Sequence, residues 1–155
     1  LKQIRALDDK HQFTLLCRDL SEIANYASVD NVQFKQLKAH TPAPITFILN
    51  ATKDVPKKLA HPKKKTIGIR VPSNPIAQAL LEAMDEPILT SSLILPNRDD
   101  ILDDPFEIED LLGNQIDGLI NAGIKTTKLT TIIDMTSGQP EVIRQGAADV
   151  SSLLL

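Results

Sequence analysis

The segment from Lys63 to Leu95 gathers side chains that could hold an anion. Lys63, Lys64 and Lys65 precede a short apolar run, Thr66-Ile67-Gly68-Ile69-Arg70-Val71, which carries one arginine. Asn74-Pro75 then opens a helical stretch, and a second apolar run carries Thr90-Ser91-Ser92. A guanidinium offers two parallel donors to a carboxylate or phosphate. Hydroxyls donate or accept as a ligand requires. An arginine inside a strand is costly to bury unless it is paired. Arg70 is therefore expected either to face a polar cavity or to form a structural ion pair. Arg144, in Val142-Ile143-Arg144 before Gly146, poses the same alternatives. Along a strand, Thr90 and Ser92 would point to one face and could line a cavity together. The plainer reading is that small hydroxyl residues simply occupy a strand.

Charge is unevenly spread on a chain of net charge −3. Between Lys53 and Arg70, seven basic residues (Lys53, Lys57, Lys58, Lys63, Lys64, Lys65, Arg70) stand against one acid, Asp54. Between Asp99 and Asp110 there are seven acids and no base. The lysines Lys57, Lys58, Lys63, Lys64 and Lys65 could form a local RNA-attracting surface on an acidic protein. They could equally be a solvated face or a strand-edge gatekeeper.

Composition excludes several classes. The chain has 155 residues, 42% of them apolar and 24% charged, which suits one ordinary globular domain. Aromatic residues are 3% and tryptophan is absent, so the core is expected to be aliphatic and base-stacking platforms are disfavoured. One cysteine, Cys17, precludes internal disulfides and cysteine-rich zinc sites, and fits a reducing, cytoplasmic setting. At the end of an apolar run it reads as a buried structural thiol. His11, His40 and His61 are scattered without metal-ligand spacing, so no metal is expected. No apolar run approaches the roughly 18 residues of a membrane span. Six dispersed glycines give no Walker loop and no Gly-x-Gly-x-x-Gly. A nucleotide would have to be held by side chains and scattered amides.

The elements that must position these residues alternate strand and helix, which favours an α/β domain. Strands are expected at Phe13–Cys17, Ile45–Leu49, Thr66–Val71, Ile88–Leu95, Ile116–Ile120, Thr130–Asp134 and Glu141–Arg144. Asp19, with Glu22 in capping-box position, starts one helix. Asp30 starts another, with Val32, Phe34 and Leu37 as its apolar members. Val55–Leu59 reads as a short helical turn. Pro75–Met84 is a helix with Pro at its first position and Ile76, Leu80 and Met84 on one face. Asp104-Pro105 starts the last helix, which Gly113 ends. The acidic loop Asn97–Asp104 is the expected mobile segment. Leu1–Leu7 reads as the end of a helix, so an upstream segment is expected to be absent from this chain.

Several motifs occur in a familiar order: Thr41-Pro42-Ala43-Pro44-Ile45-Thr46, then Thr66, Arg70 and Pro72 in a Thr-x-x-x-Arg-x-Pro strand. Thr130-Thr131-Ile132-Ile133-Asp134 and Arg144-Gln145-Gly146 follow. This set resembles the YrdC family of threonylcarbamoyl-adenylate synthases, and within it the YciO branch. The resemblance spans essentially the whole chain. It implies one YrdC-like domain over residues 1–155, N-terminally incomplete. The implied fold is a twisted mixed sheet with flanking helices around an open, positively charged cavity. It implies ATP with Mg²⁺, bicarbonate and L-threonine as substrates. Thr66, Ser92 and Arg144 would touch the nucleotide; Arg70, Thr90 and Thr130 would hold threonine, with Arg70 on its carboxylate. The product would serve threonylcarbamoyladenosine formation in tRNA.

The sequence departs from the family's pattern at three places. A Lys-x-Arg signature falls on Arg5-Ala6-Leu7, which keeps Arg5 as a catalytic cation and loses the second at Leu7. A Ser-Ala-Asn motif falls on Ser92-Leu93-Ile94, and a ligand-facing histidine falls on Leu16. These departures imply a weak or altered synthase. The alternative is a non-catalytic, double-stranded RNA-binding or translation-associated factor that uses the lysine run.

Overall fold

A computed structural model describes residues 1–8, 11–125 and 127–154. The chain groups into two compact units, Asp9–Thr90 with Leu129–Leu155, and Leu1–Asp8 with Ser91–Lys128.

The first of these units holds a seven-stranded mixed sheet. Its strands are β1 (Thr14–Leu16), β2 (Ala27–Ser28), β3 (Ile45–Ala51), β4 (Thr66–Arg70), β5 (Ile88–Thr90), β6 (Thr131–Asp134) and β7 (Glu141–Arg144). The order is β5-β1-β4-β3-β6-β7, with β2 paired to β3. The β1/β4 and β3/β6 pairs are parallel and the others antiparallel.

Strand parity divides the sheet into two unlike faces. Leu15, Ile45, Phe47, Leu49, Ile67, Ile69 and Ile133 alternate onto one face and are buried there with Ile23, Leu37 and Val150. The core is largely aliphatic, with Phe13 and Phe47 as buried aromatics. The opposite face carries Thr14, Leu16, Thr46, Thr66, Gly68, Arg70, Ile88, Thr90, Ile132 and Arg144. Continuity of that face is visible at Gly68. A Cβ there would meet the Phe13 carbonyl and the Thr14 hydroxyl at 2.9 Å and the Thr46 methyl at 3.3 Å.

Local chemistry sets the helix starts. In α2 (Leu20–Tyr26), Asp19 accepts from the Glu22 amide at 3.0 Å. The Glu22 carboxylate turns to the Arg18 amide, at 2.5 Å, so the reciprocal half of the expected capping box falls one residue early. In α3 (Asn31–Ala39), Asp30 and Gln33 form a complete capping box. In α4 (Pro75–Met84), Asn74 accepts from the Ile76 and Ala77 amides behind Pro75 at the first position. Val55–Leu59 forms turns, with the Leu59 amide on the Pro56 carbonyl at 2.8 Å.

Two apolar sets expected from the sequence lie largely off the core. In α3 only Leu37 is buried, while Val32 and Phe34 are exposed. In α4 the buried residue is Leu81, and Ile76, Leu80 and Met84 are all exposed. Helical spacing finds an apolar stripe but cannot choose between two faces when both carry apolar residues. The inward side of α4 is fixed by Leu81 and by Gln78, which donates to the Pro72 carbonyl at 2.7 Å.

The second unit contains α1 (Lys2–Arg5) and α5 (Pro105–Leu112). Asp104 caps α5 by accepting from Phe106 N–H at 2.9 Å. No strand forms at Ile116–Ile120, a correction to the sequence reading. Alternation alone does not make a strand where no neighbour supplies the ladder, and Leu119 and Ile120 remain exposed. The acidic loop is stapled by Arg98, which donates to Asp100 at 3.2 and 3.0 Å and to Glu107 at 2.6 Å. Its Leu102 is buried and donates to the Leu93 carbonyl at 2.8 Å.

Among the described residues, no helix is long and apolar enough to cross a membrane.

Candidate functional site

The polar sheet face is built around Arg70. The side chain stands at the end of β4, beside Leu16 of β1 in the parallel register, and one step beyond the Phe47–Ile69 pairing that puts Thr46 on its other flank. Its Nε is buried without a hydrogen-bond partner. Burial lowers the Arg70 pKa, because the charged form loses hydration. None of the ion pairs among the described residues involves it. A half-buried arginine whose Nε lacks a partner is what an anionic ligand would stabilise.

Farther across the same face, the Thr46 and Thr130 hydroxyls lie 2.9 Å apart. Arg144 donates to the Thr130 carbonyl through Nε at 3.1 Å and Nη2 at 2.8 Å, and Nη2 reaches the Thr130 hydroxyl at 3.3 Å. Burial also lowers the Arg144 pKa. The Thr131 hydroxyl organises the chain that follows Arg144. It donates to the Ala148 carbonyl at 2.7 Å and accepts from the Gly146 and Ala148 amides at 3.0 and 3.2 Å. Gly146 passes so close to the Leu129 and Thr130 backbone that a Cβ there would fall 2.4 Å from their atoms. Only glycine permits that approach.

The remaining sequence-predicted residues are placed less simply. Thr66 lies on the polar face but is 3% exposed. Its hydroxyl donates to Gln12 Oε1 at 2.9 Å, and Gln12 Nε2 returns a bond to the Thr66 carbonyl at 3.1 Å. Thr90 stands opposite Thr14 and donates to its carbonyl at 3.1 Å. The strand carrying Thr90 ends there, so the expected run to Leu95 and the strand parity linking Thr90 to Ser92 do not hold. Beyond Thr90 the chain turns, with the Ile94 amide on the Ser92 carbonyl at 3.0 Å. In that second unit, Arg5 donates to the Ile94 carbonyl at 3.2 Å and to the Ser91 hydroxyl at 2.5 Å, and burial lowers its pKa. Leu7 follows on the same turn, its amide on the Lys2 carbonyl at 3.0 Å.

Lys57, Lys58, Lys63, Lys64 and Lys65 are all exposed on the β3–β4 connection. His61 shapes this loop, its Nδ1 accepting from the Lys63 and Lys64 amides at 3.3 and 3.2 Å. Among the described residues, no group of three or more His, Cys, Asp or Glu could hold a metal ion.

Sequence reasoning missed Thr14 and Thr46 as members of the face, Gln12 as the partner of Thr66, and Ser91 as the partner of Arg5. Alternation within each strand would have put Thr46 on one side of β3. The pairings themselves join residues far apart in the chain.

Comparison with known proteins gives a consistent picture. The family model Sua5/YciO/YrdC, described as telomere recombination, matches residues 1–146. The YciO protein of Escherichia coli is 53% identical over 152 residues, covering 98% of this chain and 74% of the relative. Its crystal structure superposes with a TM-score of 0.92 over 99% of this chain and 74% of that one. A Methanocaldococcus jannaschii protein classed provisionally as a threonylcarbamoyl-AMP synthase is 29% identical, over 90% of this chain and 65% of its own length. The fold is also that of P. abyssi Sua5, solved in complex with L-threonine, with a TM-score of 0.87 at 18% identity over 98% of this chain and 45% of that one. With its mixed sheet, its flanking helices and these matches, the chain belongs to the Sua5/YciO/YrdC family.

Proposed function

We propose that the polar sheet face binds L-threonine beside ATP, and that the protein is a threonylcarbamoyl-adenylate synthase homologue of weak or altered activity serving tRNA adenosine modification. The observation that carries this reading is Arg70, whose buried Nε lacks a partner. A carboxylate is its natural complement. Thr90 and Thr130 would complete the amino-acid subsite. Arg144 and Thr66 would meet the nucleotide, which brings Mg²⁺ as its own counter-ion. The hydrogen bonds joining Arg144 to Thr130 favour adjacent subsites, as a transfer between the two ligands requires.

The reaction needs no protein nucleophile. The threonine amine condenses with bicarbonate, releasing water and leaving a carbamate. A carbamate oxygen then attacks the α-phosphorus of ATP and pyrophosphate leaves. The protein's share is positioning and cationic stabilisation of the developing phosphate charge. Arg5 is one such cation. Leu7 cannot be another, and an apolar residue at that place would attenuate turnover.

The test is mass-spectrometric detection of threonylcarbamoyl-adenylate after incubation with ATP, Mg²⁺, bicarbonate and L-threonine. Slow product formation by the wild type and faster formation by Leu7→Arg are expected. Calorimetry on Arg70→Ala should show threonine binding abolished. Undiminished affinity in that variant discards the role given to Arg70.

A second reading rests on the lysine loop. Five exposed lysines make no ion pair among the described residues, and His61 holds the turn that presents three of them. Such a loop suits the phosphate backbone of double-stranded RNA, read by shape rather than by bases. Affinity for an RNA duplex should then fall steeply with salt, with a shallower slope in the Lys63/Lys64/Lys65 triple alanine variant. A salt-independent signal counts against it.

A further inference from the structure

Thr131 carries a hydroxyl onto the apolar face of the sheet. Its register beside Ile45 puts it there, and it is 0% exposed. Valine would fill the same volume without a polar atom to satisfy. The hydroxyl instead spends its full capacity, one donor and two acceptors, on the chain that leaves β7. It donates to the Ala148 carbonyl and accepts from the Gly146 and Ala148 amides. Its two predecessors hold the same segment. The Ala147 amide donates to the Leu129 carbonyl at 2.9 Å, and Arg144 donates to the Thr130 carbonyl through Nε and Nη2. Residues 129–131 thus fasten the chain from Arg144 to Ala148. The strand ladder fixes this end of β7 less well, because the β6/β7 register shifts between Ile132 and Ile133, next to the Ile132–Arg144 pairing.

We propose that Thr131 is a positioning residue for Arg144, and that it sets nucleotide affinity from the face of the sheet opposite the ligand. The inference rests on the reading of Arg144 as a nucleotide contact. Strand parity turns the Thr131 side chain away from the polar face, so it acts only through the chain it holds. Arg144 commits Nε and Nη2 to Thr130, which fixes the plane of its guanidinium. Its Nη1 makes no hydrogen bond among the described residues. A donor oriented in advance meets an anionic oxygen of the nucleotide without first losing the rotamer freedom of a long side chain. That orientation depends on where the backbone passes at Arg144 and just after it. Without the Thr131 hydroxyl, the Gly146 and Ala148 amides lose their acceptor and the exit from Arg144 is released. The guanidinium then samples other directions, and the nucleotide has to be held at the expense of ordering it.

Calorimetric titration of the full chain with ATP and Mg²⁺ tests this, using Thr131→Val, Thr131→Ser, Arg144→Ala and the double variant Thr131→Val/Arg144→Ala. Arg144→Ala should weaken ATP binding on the order of 10-fold or more, the loss of a hydrogen bond to a charged group. Thr131→Val should weaken it several-fold, and Thr131→Ser, which keeps the hydroxyl, should restore it. In the Arg144→Ala background, Thr131→Val should have no further effect on ATP affinity, because the group it positions is gone. A merely structural threonine would lower the thermal midpoint and leave that affinity cycle additive. Thr131→Cys, whose thiol bonds weakly, gives an independent reading if Thr131→Val does not fold. ATP affinity lowered by Arg144→Ala but unchanged in the folded Thr131 variants, or losses that add in the double variant, overturn the positioning role and leave the Arg144 contact standing. Absence of ATP binding by the wild type, or binding undiminished in Arg144→Ala, overturns the nucleotide contact and this inference with it.

Discussion

Arg144 closes on the peptide of Thr130, giving its carbonyl oxygen two hydrogen bonds, at 3.1 and 2.8 Å, from one guanidinium. The contact fastens the last strand of the sheet to the residue that leads into β6. A lysine keeps the charge but has no planar fork to reproduce the pair. Arg144→Lys is therefore expected to lower stability by about 1 kcal/mol. Urea denaturation of the two proteins checks this, and an unchanged midpoint would show that the fork is incidental.

Gly68 leaves the middle of the polar face bare. A methyl there would stand 2.9 Å from both the Phe13 carbonyl and the Thr14 hydroxyl. Neither the β1 backbone nor a β-branched side chain gives way cheaply. Gly68→Ala is expected to cost about 1–3 kcal/mol and to weaken ligand binding through its displacement of Arg70, two residues on. The measurement is thermal unfolding with and without L-threonine.

Much of the framework was legible because it is written locally. Asp30, Asn74-Pro75 and Asp104-Pro105 sit where the helices begin, and the Pro75–Met84 helix has the expected limits. Such signals act within one turn of chain. Arg70 was legible as a question, since a lone arginine in an apolar strand demands a partner, and no ion pair among the described residues supplies one. The partnerships were not legible. Thr46 meets Thr130 across 84 residues and Gln12 meets Thr66 across 54, and strand order alone sets those meetings. The stripe of Ile76, Leu80 and Met84 misled for a related reason. Which side of a helix meets the sheet depends on packing that periodicity does not contain.

The Gln12–Thr66 pair gives a coupling that can be measured. The Thr66 hydroxyl is buried and donates to Gln12. Removing Gln12 alone leaves that hydroxyl without its acceptor, at a cost of about 1–3 kcal/mol. In a Thr66→Val background the same removal should cost distinctly less, because no hydroxyl is left to orphan. A double-mutant cycle with Gln12→Ala and Thr66→Val should return a coupling of at least about 0.5 kcal/mol. Simple additivity would refute the clamp.

Cys17 supplies a pH dependence whose sign follows from burial. The side chain is fully buried, and burial, with smaller contributions from Glu22 and Asp19, pushes its thiol from 9.0 up to about 12. The folded state thus holds the proton more tightly than the unfolded chain does. Below pH 9 both states are protonated and the thiol's contribution to stability is fully present. As pH rises from 9 towards 12 the unfolded chain releases its proton and the folded protein does not. Stability then falls, by at most about 1.4 kcal/mol per pH unit from this one group. The informative quantity is the difference between the wild type and Cys17→Ala, which cancels the contributions of all other groups. The variant should start less stable, because it leaves a small void, and should lose stability less steeply above pH 9. Parallel slopes would show that the thiol is not held neutral. Kinetics offer a second check: a thiol-specific reagent should modify native Cys17 only as fast as the protein opens, since the thiolate is the reactive form.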